Sequence, residues 1–63
     1  MNIIEATNLM RQGIVTRPVH FIKGNEITLL HDSIYMHAGP GVPAHRIYLE
    51  AEEILGEWVV VEE

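Results

Sequence analysis

The C-terminal run Trp58-Val59-Val60-Val61 constrains the fold more than any other stretch of this chain. It is aromatic and β-branched, the composition that suits a pleated and buried surface. Its apolar residues fall on both faces, which predicts an interior strand covered on both sides. Just upstream, Leu49–Leu55 reads as a short amphipathic helix, and Gly56 stops it. The remaining residues must supply the cover.

How much cover is possible depends on size. Sixty-three residues allow one domain, spanning residues 1–63. A chain this short buries only about 60% of the surface its unfolded form exposes. Small domains compensate with disulfides, a metal or oligomerisation. With no cysteine, disulfides and thiolate zinc sites are both excluded. The hydrophobic fraction is nevertheless 48%, as in larger globular domains. Apolar surface is therefore expected to be buried between copies, in a homo-oligomer such as a dimer or tetramer.

Charge narrows the partners. Arg11, Arg17, Lys23 and Arg46 are the only fixed cations, whereas Glu50, Glu52, Glu53, Glu57, Glu62 and Glu63 make the tail acidic, and the net charge is −5. Affinity for nucleic acid comes mainly from Lys and Arg neutralising phosphates, so DNA or RNA binding is not expected. No basic region precedes an apolar run and a cleavage site, and no apolar run nears the roughly 20 residues that span a bilayer. A cytoplasmic protein without a membrane segment is the simplest expectation.

In chain order, Asn2 is a candidate N-cap, with Glu5 three residues on to complete a capping box. The helix runs to about Gln12 and stops at Gly13, a suitable C′ residue. Ile3, Ala6, Leu9 and Met10 lie close to one face. Ile14–Arg17 reads as a strand that Pro18 ends or places at an edge. Val19–Ile22 continues in extended form to a turn at Lys23-Gly24-Asn25. Strands Glu26–Leu30 and Ile34–His37 flank a turn at His31-Asp32-Ser33. Gly39–Pro43 is a loop, and Ala44–Tyr48 leads into the second helix in extended form. The predicted class is α+β. It comprises a small antiparallel sheet of four or five strands, an N-terminal helix packed on it, and a short helix before the last strand.

Chemistry-bearing patterns are few. His20, His31, His37 and His45 make no pair at a recognised ligand spacing, and none has an acidic partner at helical distance, so no metal site is predicted. Gly39-Pro40-Gly41 lacks the lysine and hydroxyl that a phosphate-cradling loop needs. No nucleophile sits in a recognisable elbow, and neither an enzyme nor a cofactor is predicted. One constellation stands out: Arg17, His20, Phe21, Arg46, Tyr48 and Trp58. Arginine offers planar bidentate donors for phosphate, and the rings offer stacking faces for a base. The competing structural reading places Phe21 and Trp58 in the core and both arginines in surface ion pairs.

Three segments resemble a family of small phage-encoded proteins, long described as a domain of unknown function, that includes Thoeris anti-defence sponges for nucleotide signals. Met1–Ala6 resembles the family's opening helix, followed by a glycine near position 13. Ile14-Val15-Thr16-Arg17-Pro18 resembles its strand ending in an Arg-Arg or Arg-Pro step. Leu49–Glu62 resembles its closing acidic helix, tight turn, tryptophan and valine-rich strand. The resemblance implies an oligomer that binds cyclic ADP-ribose isomers or cyclic oligonucleotides between subunits without cleaving them, in the cytoplasm of an infected bacterial host. Arg17 and Arg46 would hold phosphates, and His20, Phe21, Tyr48 or Trp58 would contact bases. The family's tryptophan just after the arginine step is replaced here by His20, or by Phe21 in a register shifted by one. An alternative role is a protein-binding inhibitor or adaptor acting on a host enzyme or defence protein through the acidic tail. A structural subunit of a larger phage assembly is a third.

Overall fold

A computed structural model describes residues 1–21, 25–41 and 43–61. The elements follow in the order α1 (Ile3–Arg11), β1 (Thr16–Pro18), β2 (Ile27–Leu30), β3 (Ile34–His37), α2 (Ala51–Leu55) and β4 (Trp58–Val60). The strands form one antiparallel sheet in the order β3-β2-β1-β4. This is the α+β class expected, with a helix on the sheet and a short helix before the last strand. The expected turn at Lys23-Gly24-Asn25 lies mostly outside the described residues, as do Val42, Glu62 and Glu63.

Local chemistry accounts for the first helix. The Asn2 side chain accepts the Glu5 N–H at 2.9 Å, and the Glu5 carboxylate accepts the Asn2 N–H at 3.3 Å. Two of the otherwise orphaned N-terminal donors are thereby satisfied. Gly13 follows the C-cap at φ +87°, a left-handed conformation that glycine adopts without a Cβ penalty. Between these stops, Ala6 and Met10 are buried and meet Ile27 and Trp58 to form the core.

The β2–β3 hairpin turns where both His31 (φ 55°) and Asp32 (φ 62°) are left-handed, and Ser33 N–H closes it onto Leu30 O. Positive φ at both central residues is the type I′ signature, whose twist matches that of the strands. Outside β3, Met36 bridges Arg46, with His37 N–H donating to His45 O and Ile47 N–H to Tyr35 O. The Ala44–Tyr48 stretch is thus extended, and it shields the β3 edge as a partial fifth strand.

Two expectations are corrected, and a third, left open between alternatives, is resolved. First, β4 lies at the sheet edge, not inside it. Its outer side is capped at one point: Trp58 N–H donates to Met1 O at 2.7 Å, and the Met1 amine donates to Trp58 O at 3.0 Å. Second, Pro18 ends β1, as one of its two expected roles had it, and does not put the strand at an edge. It pairs with Trp58 beside the bond from Val19 N–H to Glu57 O, a position where the ladder asks no donor of it towards β4. On the other side β1 pairs with β2 only at Thr16↔Ile27, so the missing N–H costs nothing there either. Third, Val19–Phe21 is a turn rather than an extended run, closed by Phe21 N–H to Pro18 O.

Alternation along the strands divides the sheet into two unlike faces. Thr16, Pro18, Trp58, Ile27, Leu29, Tyr35 and His37 share the side that carries α1. Tyr35 Oη lies 3.0 Å from Thr7 Oγ1, which pins the middle of the helix. The opposite side presents Arg17 and Val59, Thr28 and Met36, Leu30 and Ile34, and Arg46. Among the described residues, no helix or strand covers it. This open face is the main structural consequence of a chain with one long helix.

A buried hydroxyl in the core lacks a partner among the described residues. Thr16 is fully buried, and its hydroxyl has no hydrogen-bond partner. Thr16→Val keeps the shape and removes the orphaned oxygen. It is expected to stabilise the fold by about 1 kcal/mol, read as a higher denaturation midpoint at unchanged slope.

Candidate functional site

The residues expected to form one site fall in three places. Trp58 is fully buried, and its Nε1–H donates to Glu53 O at 2.8 Å. No face of the ring is open to a base, so its expected role in stacking is corrected. Its indole instead ties α2 to β4 and completes the core. Gly56 lets that connection close. A Cβ there would sit 2.6 Å from the Glu52 carbonyl oxygen, although φ is an ordinary −85°.

Arg17 is half-buried, and it is engaged with its own chain rather than free for phosphate. Its Nη1 donates toward the carbonyls of Pro18 (3.4 Å), Val19 (3.1 Å) and Phe21 (3.1 Å). One guanidinium nitrogen thereby curls the turn at 18–21 back on the strand. This is why a sequence that reads as extended bends instead.

That turn presents the second group. His20 and Phe21 pack edge to face, with ring centroids 5.2 Å apart. They line an open cleft of about 380 Å³ together with His37, His45 and Ile47. His37 is buried, and its Nδ1 accepts the Gly39 N–H at 3.2 Å. The His45 ring stacks on it at 5.0 Å and 14°. The Gly39 contact holds the start of the following loop against the end of β3.

The third group is the one left available. Arg46 lies over the Tyr48 ring, its guanidinium carbon 4.8 Å from the centroid, and Tyr48 remains 75% exposed. Both border a cleft of about 320 Å³ with Ile34, Ile47, Leu49 and Ile54. Among the described residues Arg46 makes no ion pair, whereas the cation–π contact holds it in place. Arg46 and Arg17 are both on the open face but three strand steps apart, roughly 14 Å. They do not share a pocket within one chain.

One association had no signal in the sequence. The turn at 18–21 carries His20 to α2, where its Nε2 lies 3.8 Å from Glu53 Oε2, and Glu52 stands beside them. Residues more than thirty positions apart meet there, beyond the reach of any spacing rule. No helix among the described residues is long and apolar enough to cross a membrane. Against protein-family models, curated proteins and solved structures the chain finds no match, so the functional reading rests on its own geometry and on the segment resemblances above.

Proposed function

We propose that this chain is a small non-catalytic binding protein that works as a homo-oligomer joined through the open face of its sheet. Its ligand is a nucleotide-derived anion sequestered at Arg46 and Tyr48. The observation that carries this reading is the open face itself, which combines half-buried Met36, Ile34 and Val59 with an exposed arginine held over a tyrosine ring. The apolar stripe suits a second copy of the same sheet. Pairing two such faces doubles the positive charge along the seam, and a bound anion between the copies offsets it. The guanidinium supplies bidentate donors for phosphate, and the exposed tyrosine supplies a stacking surface for a base. The segment resemblance to nucleotide-signal sponges points the same way.

Titration calorimetry with a panel of cyclic ADP-ribose, cyclic dinucleotides and nucleoside monophosphates tests this. Arg46→Ala is expected to weaken the best ligand by about 10- to 100-fold, the worth of a charge-assisted hydrogen-bonded pair. Tyr48→Ala is expected to cost about 1–3 kcal/mol. If no nucleotide binds, or if Arg46→Ala binds as tightly as wild type, the ligand assignment fails. The same apolar face also suits a foreign protein, the second reading. A monomer without nucleotide affinity would favour that role.

A further inference from the structure

The turn at 18–21 and helix α2 meet at a cluster that the nucleotide reading leaves unused. One ligand atom from each of His20, Glu52 and Glu53 can be chosen so that all lie within 4.8 Å of one another. We infer that these three side chains form a binding site for a divalent first-row transition metal ion such as Zn2+.

The donor chemistry sets the class of ion. A neutral imidazole nitrogen with two carboxylate oxygens suits zinc and its neighbours, whereas calcium and magnesium favour all-oxygen cages. Three protein donors leave a coordination position open to water.

Glu53 is the enclosed and fixed member of the group. It is only 8% exposed, and its Oε1 accepts the Glu50 N–H at 3.3 Å. Its Oε2 receives no hydrogen bond among the described residues, and the His20 Nε2 facing it at 3.8 Å is too far to donate one. A metal ion between this oxygen and the imidazole replaces a loose 3.8 Å contact by two direct bonds.

Both ligand-bearing segments are also braced. Arg17 Nη1 holds the turn beneath His20 through the Val19 and Phe21 carbonyls, and Trp58 Nε1 holds the Glu53 carbonyl. Such outer contacts orient metal ligands. Zinc bonds of about 2.0–2.2 Å place tetrahedral donors roughly 3.3–3.5 Å apart, so closure needs side-chain movement of about 1 Å. Glu52 and His20 are exposed and free to supply it.

The test uses the full chain after treatment with a chelator, titrated with zinc chloride by calorimetry and followed by thermal unfolding. Co2+ serves as a spectroscopic probe of the ligand set. One equivalent should bind, and Tm should rise by about 10 °C when free zinc is a hundredfold above Kd. His20→Ala and Glu53→Gln should each weaken binding by roughly 100-fold, and the exposed Glu52→Gln by about 10-fold or more. His31→Ala should leave binding unchanged. Should Glu53→Gln fail to fold, His20→Ala and Glu52→Gln decide the matter from solvent-exposed positions. Absence of zinc binding by the wild-type chain, or wild-type affinity in His20→Ala, overturns the site. Neither result bears on nucleotide affinity, which Arg46→Ala reads separately.

Discussion

Trp58→Ala is expected to leave the chain largely unfolded at room temperature. The ring is fully enclosed among Ala6, Met10 and Ile27. Truncating a buried aromatic costs about 3–5 kcal/mol, through lost transfer energy and the cavity left behind. A chain of this length has a total stability of roughly 3–9 kcal/mol. The indole also supplies the hydrogen bond to the Glu53 carbonyl, so its removal frees α2 as well. Trp58→Phe separates the two effects. It retains most of the volume and loses the N–H, with an expected cost of about 1–3 kcal/mol. Because this is the only tryptophan, far-UV circular dichroism during urea unfolding is the suitable readout. An unchanged midpoint for Trp58→Ala would mean that the ring does not hold the core.

The second large effect concerns association. Met36→Lys, on the open face beside Thr28 and Arg46, is expected to convert the proposed oligomer to a folded monomer. The side chain is only half-buried within one chain, so a lysine there reaches water and the monomer tolerates it. Buried against a second sheet, the same ammonium costs at least about 2 kcal/mol, roughly 30-fold in dissociation constant. Val59→Lys, three strand steps away on the same face, is expected to act in the same direction. If the circular dichroism spectrum stays native while the mass halves, the face is the interface. If the mass is unchanged, the copies meet elsewhere.

Local signals in the sequence were reliable wherever the cause was local. Asn2 and Glu5 cap one another three residues apart, Gly13 supplies the left-handed stop, and Ile34–His37 matches β3 residue for residue. The errors share a different origin. The β4 run is apolar on both sides because Trp58 faces the helix and Val59 the open face, a pattern that an interior strand and a one-sided edge strand have in common. The edge is protected by Met1, whose bonds to Trp58 span 57 positions and leave no trace in composition. The turn at Val19–Phe21 depends on where one guanidinium folds, which is decided by tertiary packing rather than by turn chemistry.

The candidate site was legible only in part. Arg46 and Tyr48 are two apart on an extended segment, and their pairing follows from that spacing. Arg17 and Trp58 carry the right chemistry, but the fold commits them to structural contacts. His20 belongs with Glu52 and Glu53, to which only the closed sheet brings it. Residue type indicated what each side chain can do, and topology decided which of them are free to do it.

The uncovered sheet face is proposed to join copies of this chain. Sedimentation equilibrium of the wild-type protein and Met36→Lys, over low to high micromolar concentration, tests it most directly. The account predicts a wild-type species of at least twice the 7.2 kDa chain and a Met36→Lys species of 7.2 kDa. A wild-type protein that remains at 7.2 kDa throughout would contradict it.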